Sequence, residues 1–196
     1  MNTTKLMLSL CLAGLATAAS AQTAADYTQR DVNQETRIRD GLQDGSLNTR
    51  EAAILERKEG RVDRMQSRAL SDGKLTDAER ARLTHAESGV SQDIHGARHN
   101  GIEGNPLSAS SQRMQEGVQR DINQQRRVEN GIKDGQLTNR EAGRLERGQA
   151  RTDSREFRAG RDGHVGAHEA QAINDQQNSQ SERIHRLRHN AAHRAG

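Results

Sequence analysis

One eight-residue stretch recurs along this chain and limits its fold more than any other feature. Positions 44–51 read DGSLNTRE, and related stretches occupy 72–79, 134–141 and 162–169. Glycine after aspartate permits a positive φ angle, which ends a helix at little steric cost. Because each copy lies between polar stretches with helical periodicity, the sequence predicts helices separated by one recurring turn.

Each turn also carries a start signal for the next helix. Asn48, Thr76 and Thr138 are cap residues that can accept a hydrogen bond from an unpaired backbone N–H. A glutamate three residues later can reach back to the cap residue, which completes a capping box. The fourth copy has Gly166 at the cap position, so its box is predicted to be incomplete.

The same stretch has some likeness to the calcium loop of an EF-hand, with its glycine at the sixth position. The third position, normally acidic or Asn, is Leu42 in the first copy and Ile132 in the third. The second and fourth copies begin with Arg68 and Arg158, where a cation would be repelled. The capped turn is therefore favoured, and degenerate EF-hand-like calcium binding is kept as an alternative.

A longer repeat relates the two halves of the chain. Residues 30–100 align without a gap on 120–190, a period of 90 residues, and 28 of the 71 aligned positions are identical. Each copy holds two turns, which predicts three helices per copy and an all-α fold of two tandem three-helix units. The predicted segments are a signal peptide at 1–21, a first helical repeat at 22–100, a linker at 101–110 and a second helical repeat at 111–196.

Apolar residues at steps of three and four place the helices within each repeat. The middle helix of the second repeat has the poorest apolar stripe, because Thr152 and Arg155 stand where the first repeat has Val62 and Met65. We expect that helix to be the loosest part of the fold. The predicted helices cover about 27–41, 49–71, 76–100, 111–131, 139–160 and 167–192.

The N-terminus predicts secretion. Lys5 precedes an apolar run at 6–16, and small residues at 19–21 form a cleavage site, so we expect cleavage after Ala21. The run is too short to cross a bilayer, and no membrane span is expected after cleavage. Cys11, the one cysteine, lies in this segment, so the mature chain has no disulfide. A periplasmic or secreted location follows.

The composition argues against a large core and against several functions. Aromatic residues make up 1% of the chain and the mean hydropathy is −1.04, so narrow apolar stripes are expected. The 30 basic and 27 acidic residues alternate, as at 144–147, and no long patch of one sign is expected. With so few aromatics to stack on bases, nucleic-acid binding is not predicted.

Catalysis finds little support in the sequence. The mature chain has no cysteine nucleophile, no glycine-rich phosphate loop and no zinc-protease helix motif. We expect its acidic residues to lie in capping boxes or beside arginines. Without apolar material to wall off a pocket, shifting the pKa of a carboxyl group is hard. The sequence therefore predicts a protein that is not an enzyme.

Histidines carry the one arrangement that suggests metal chemistry. His95 and His99 are four residues apart, and His185, His189 and His193 continue that spacing at the matching place in the second repeat. Side chains four apart share a helix face, so two imidazoles can hold Zn²⁺, Cu²⁺ or Ni²⁺. The alternatives are exposed residues favoured at helix C-termini and a charge-based response to pH.

The helix–turn unit resembles a family of small secreted proteobacterial proteins that are largely uncharacterised and sometimes labelled EF-hand-like. The resemblance is carried by residues 37–42, 45–47, 51–52 and 72–73 with Glu79, and it covers both 90-residue units. It implies a periplasmic helical protein without a known active site. We predict a structural, interaction or envelope-stress role with an unknown protein or envelope partner; dimer formation is compatible with the sequence. Periplasmic metal binding or buffering through the paired histidines is the alternative.

Overall fold

The computed structural model describes residues 11–190, and their side chains from 24 onward. This part of the chain is all helical and contains no strand, which confirms the predicted all-α class. Lys5 of the predicted signal and His193 lie outside the described residues. The helices are α1 Cys11–Asp44, α2 Thr49–Ala69, α3 Asp77–Arg98, α4 Ala109–Lys133, α5 Asn139–Gly160 and α6 Ala167–Arg188.

The turns have the predicted local structure. Gly45 and its three counterparts adopt positive φ angles between 74° and 90°. Asn48, Thr76 and Thr138 each form a complete capping box with the glutamate three residues later. At Gly166 only half of the box forms: its N–H donates to the glutamate at 2.8 Å, and glycine has no side chain to accept in return.

Helices pair between the two sequence repeats more than within them. The two largest helix interfaces are those of α2 with α5 and of α1 with α4. These four helices form a central bundle. Helix α3 lies against α1 and α2, and α6 lies against α4 and α5. The two repeats therefore interleave around a shared interior.

Small residues bring α2 and α5 close together. A Cβ atom added at Gly60 would lie 2.9 Å from Oδ2 of Asp153, and one at Gly143 would lie 3.0 Å from Cβ of Leu70. These pairings also show that the two helices run antiparallel. Helix α5 was expected to be the loosest because of its polar stripe, yet Thr152 is fully buried and the α2–α5 interface is the most extensive one.

The apolar core is divided into two clusters, and each combines both repeats. One cluster includes Leu42 with Ile122, and the other includes Leu70 with Val128 and Ile132. Many of the remaining buried side chains are polar or charged. Within the described residues, no helix combines the length and the apolar character needed to cross a membrane.

Candidate functional site

Acidic and basic residues alternate along α2 and α5 but lie on opposite sides of these helices. Beyond the capping glutamates, every acid of the two helices is buried, and every arginine and lysine is at least partly exposed. The expectation that no long patch of one sign forms is therefore wrong for the outer side of α2 and α5, where the charged side chains are basic apart from the capping glutamates. Spacings of three and four residues place the acids on one inward face. These buried acids are Glu56, Glu59, Asp63, Glu146, Asp153 and Glu156.

The interior is acidic and has no buried base to match. Of the twelve acids buried in the described chain, Glu129 pairs with Lys133 and Glu141 closes a helix cap. Lysine, arginine and histidine are absent from the buried side chains of this part of the chain. An unpaired buried charge is expensive, so the interior requires protons or cations. The other ten acids are Asp31, Glu35, Glu56, Glu59, Asp63, Glu87, Asp121, Glu146, Asp153 and Glu156.

Three of these acids form what we call the first cluster: Asp31, Asp63 and Glu146. One carboxylate oxygen from each lies within 4.8 Å of the others. Two amides donate to this cluster. Gln66 Nε2 lies 2.8 and 3.0 Å from the two oxygens of Asp31, and Gln125 Nε2 lies 3.1 Å from Glu146. Part of its negative charge is therefore met by neutral donors.

Glu56, Asp153 and Glu156 form the second cluster, again with one oxygen from each within 4.8 Å of the others. All six carboxylate oxygens of this cluster are buried without a hydrogen-bond donor. Glu156 lies within hydrogen-bond reach of Asp121, but that neighbour is also a carboxyl group. Glu35 faces the same cluster, and its Oε2 is likewise without a donor. Among the described side chains, only a neighbouring carboxyl group that keeps its proton could donate to these oxygens.

The two clusters are adjacent and related by the sequence repeat. The carboxyl groups of Asp63 and Asp153 lie within hydrogen-bond reach of each other, which joins the clusters at the α2–α5 interface. Each aspartate or glutamate of the first cluster has an identical residue 90 positions away that faces the second. These pairs are Asp31 and Asp121, Glu146 and Glu56, and Asp63 and Asp153.

Burial makes these carboxyl groups hold their protons. Burial raises the pKa of Glu56 to about 8, and it raises the pKa values of Asp121 and Glu146 to about 7. Burial, and then repulsion from neighbouring carboxylates, raises the pKa values of Asp153 and Glu156 well above their ordinary range. From the sequence we expect such a pKa shift to be hard for this chain, but the packed helices supply the walls that bury these carboxyl groups.

The sequence carries a pattern that indicates this acidic interior. Glu56 and Asp63 are seven residues apart on α2, two helical turns, and so they share a face. Glu146 and Asp153 repeat the same spacing on α5. Acids that recur at helical spacing in both copies, where apolar residues would be expected, indicate a polar interior.

The structure places the predicted histidines on the surface in two separate pairs. The ring centroids of His95 and His99 are 4.2 Å apart, and those of His185 and His189 are 4.3 Å apart. The two pairs do not come together, because α3 and α6 do not contact each other in the described residues. No histidine belongs to a group of three candidate metal ligands in this part of the chain. His193 is not described.

The acidic residues of the first turn, Asp44 and Glu51, already accept hydrogen bonds from other residues of the chain. Asp44 accepts hydrogen bonds from Ser46 N at 2.9 Å and from Arg98 at 2.6 Å. Glu51 closes the cap of α2 and accepts a bond from Asn100 at 2.6 Å. These contacts suit a capped turn, and they use the oxygens that an EF-hand loop would give to calcium.

Comparison with known protein families, with curated proteins and with solved structures finds no match to this chain. The resemblance to secreted proteobacterial helix–turn proteins therefore stays a prediction. Any function has to be argued from the residues of the chain itself, and the acidic interior is the feature that most needs a chemical explanation.

Proposed function

We propose that this chain is a non-enzymatic cation-binding protein whose buried carboxylates hold two hard divalent cations side by side in the helical bundle. One observation carries the proposal: the second cluster contains six buried carboxylate oxygens with no hydrogen-bond donor. Buried polar groups in proteins are nearly always satisfied, and an exception calls for a specific cause. A cation bound by one oxygen from each of the three residues would balance the charge of this cluster.

The distances within each cluster suit one ion. Calcium binds oxygen at about 2.3–2.6 Å, so two oxygens on opposite sides of the ion lie about 4.6–5.2 Å apart. One carboxylate oxygen from each residue of a cluster lies within 4.8 Å of the other two. Magnesium prefers shorter bonds of about 2.0–2.1 Å and keeps several waters, so these clusters suit it less well.

The type of ligand narrows the choice of ion further. Both clusters offer carboxylate oxygen and no nitrogen or sulfur ligand. Such ligands favour Ca²⁺ or Mn²⁺, whereas Zn²⁺, Cu²⁺ and Ni²⁺ favour imidazole or thiolate. The histidine pairs offer that softer chemistry, but each pair supplies only two ligands. The carboxylate clusters are therefore the better supported metal sites.

The clusters have the character of structural or storage sites rather than catalytic ones. Each of their six residues is at most 2% exposed. A catalytic metal keeps an open position for water or substrate, while a structural metal is closed off by its ligands. Cations bound here would hold the two repeats together, because each cluster draws on both repeats.

The predicted secretory signal places this activity in the periplasm or outside the cell. A mature chain without cysteine cannot use disulfides there, and a buried cation offers a different source of stability because it binds the folded state and not the unfolded chain. The two tandem three-helix units would be copies of one ancestral unit. The predicted protein or envelope partner would meet the outer faces of this cation-stabilised bundle.

Calorimetric titration of chelator-treated protein tests the proposal. We expect about two equivalents of Ca²⁺ or Mn²⁺ to bind, one for each cluster. Glu56→Gln with Asp153→Asn should abolish binding to the second cluster. The matched control, His95→Ala with His185→Ala, should leave it unchanged. Absence of binding by any ion would refute the proposal, and loss of binding in the histidine variant would favour the predicted histidine sites instead.

A further inference from the structure

A groove on the outer side of the bundle is lined by arginines. It lies between α2, α5 and α6, has a volume of about 630 Å³, and has no acidic residue in its lining. This groove is the surface counterpart of the buried acids on the same two helices. The arginines that line it are Arg64, Arg68, Arg147, Arg151, Arg155 and Arg158.

The guanidinium groups of the groove have few partners within the protein. In the described residues, the ion pairs involve other cations and none of these six arginines. Arg64 donates a hydrogen bond to Ser154 at 3.2 Å, and Nε of Arg155 is buried without an acceptor. Several like charges held close together repel one another unless a counter-charge is bound.

The chemistry of the groove selects the kind of ligand. Guanidinium is a planar fork of donors that matches phosphate and carboxylate oxygens in pairs. The volume falls within the usual range for small-molecule sites, about 300–1,000 Å³. The lining contains no aromatic side chain on which a nucleobase could stack. We propose that this groove binds a small multivalent anion built of linked phosphate groups.

The site does not depend on the proposed cation binding, since the groove and the interior carboxylates occupy opposite sides of α2 and α5. The two features still affect each other at long range. Cations or protons in the interior would reduce the negative field behind the arginines and strengthen anion binding. Tests on the groove therefore start from metal-free protein, which also prevents the phosphate ligand from competing for bound metal.

Calorimetric titration of the metal-free full chain with sodium tripolyphosphate measures binding directly. The groove variant Arg68→Gln, Arg151→Gln and Arg158→Gln removes three exposed charges from the site. Its matched control removes three exposed arginines elsewhere: Arg82→Gln, Arg126→Gln and Arg183→Gln. We expect the groove variant to lose affinity by at least about tenfold, and the control by less than about threefold.

Three results would overturn the inference. The first is no detectable binding of tripolyphosphate by the unaltered chain. The second is an equal loss of affinity in both triple variants, which would indicate attraction by net charge alone. The third is binding to vesicles of equimolar phosphatidylglycerol and phosphatidylcholine without binding of tripolyphosphate, which would assign the arginines to a membrane surface. Circular dichroism of both variants verifies that they fold.

Discussion

The two carboxylate clusters occupy equivalent places in the repeat, but their negative charge is met in different ways. In the first cluster Gln66 donates to Asp31, whereas the residue equivalent to Gln66 in the second repeat is Glu156, which adds a charge. Likewise Gln125 donates to the first cluster, and its equivalent facing the second is Glu35. The same fold thus surrounds one cluster with amides and the other with further acids.

The flanking helices partly reverse this difference. Helix α3 brings Glu87 to the first cluster, 3.1 Å from the amide of Gln66, whereas α6 brings Gln177, whose amide donates to Asp121 at 3.0 Å. The contrast is therefore sharpest at the three residues of each cluster. Burial raises the pKa values of both aspartates in the first cluster as well, but amides donate to that cluster. The second cluster has no amide donor and depends on protons or a cation alone. We expect the second cluster to bind the cation more tightly.

The largest predicted effect is the pH dependence of stability without metal. The pKa of Glu56 is about 8 in the folded chain against an ordinary value of 4.5, so the folded state binds more protons between these values. Its stabilising contribution is complete below about pH 4.5 and is lost as pH rises through about 8, on the order of a few kcal/mol. Urea unfolding in EDTA should show lower stability at pH 8 than at pH 5.

Calcium should remove most of that loss, because it replaces the protons that the carboxyl groups release. Glu56→Gln should flatten the pH dependence more than the equivalent change Glu146→Gln, because Glu146 accepts hydrogen bonds from Thr28 and Gln125 while both oxygens of Glu56 lack a donor. A free energy of unfolding that rises with pH in EDTA would contradict the protonated acidic interior. Equal flattening by Glu56→Gln and Glu146→Gln would contradict the contrast between the clusters.

Gln66→Glu gives the first cluster the extra charge of the second. At pH 8 without metal, we expect it to lower the free energy of unfolding by roughly 3 kcal/mol, because it adds an unpaired buried charge. Affinity for Ca²⁺ at the first cluster should rise at the same time. Chemical unfolding and calorimetry measure the two effects. A variant that loses stability without gaining affinity would show that the residue at this position does not set the difference.

The reverse exchange, Glu156→Gln, gives the second cluster an amide like that of the first. It should raise metal-free stability by about 1–3 kcal/mol at pH 8, since a buried carboxyl group that resists ionisation is replaced by a neutral amide that supplies a donor. It should also weaken the tighter calcium site by about tenfold or more. If the weaker site changes instead, the order of affinities assigned to the clusters is wrong.

The smallest effect concerns the turns rather than the clusters. Gly166→Ser would complete the one capping box that lacks its side chain, and we expect a gain of a few tenths of a kcal/mol. Thr138→Ala, in the intact box of the same repeat, should cost about 1 kcal/mol. Thermal unfolding with Ca²⁺ present compares the two. Equal and opposite changes would contradict the expectation that glycine is a better cap residue than alanine.

The sequence predicts the starts of α2 and α5 because local chemistry sets them, whereas α1, predicted at about 27–41, spans Cys11–Asp44. Caps such as Asn48 and corners such as Gly45 act within a few residues, so α2 and α5 begin at the predicted positions. The pairing of α2 with α5 could not be predicted in this way. It depends on close approach at Gly60 and Gly143, which only the folded chain brings together.

The predictions made from the sequence do not include the interior site, since they place the acidic residues in capping boxes or beside arginines. Acidic residues are rarely fully buried. Glu56 and Asp63 sit among arginines in the sequence, and only the helical period separates them from their neighbours. The histidine sites were predicted from that same period and stay a prediction. His95 and His99 do share a face, as expected, but spacing along one helix cannot show whether a third ligand comes from another.

The interleaving of the repeats has a consequence for the history of the chain. Since α1 packs on α4 and α2 on α5, one repeat alone would expose the surfaces that the other covers. A polypeptide of half this length would have to find those surfaces on a second molecule, as a swapped homodimer with two identical ion sites. Fusion of two such genes would free each site to diverge, because a homodimer of identical halves could not carry Gln66 at one site and Glu156 at the other.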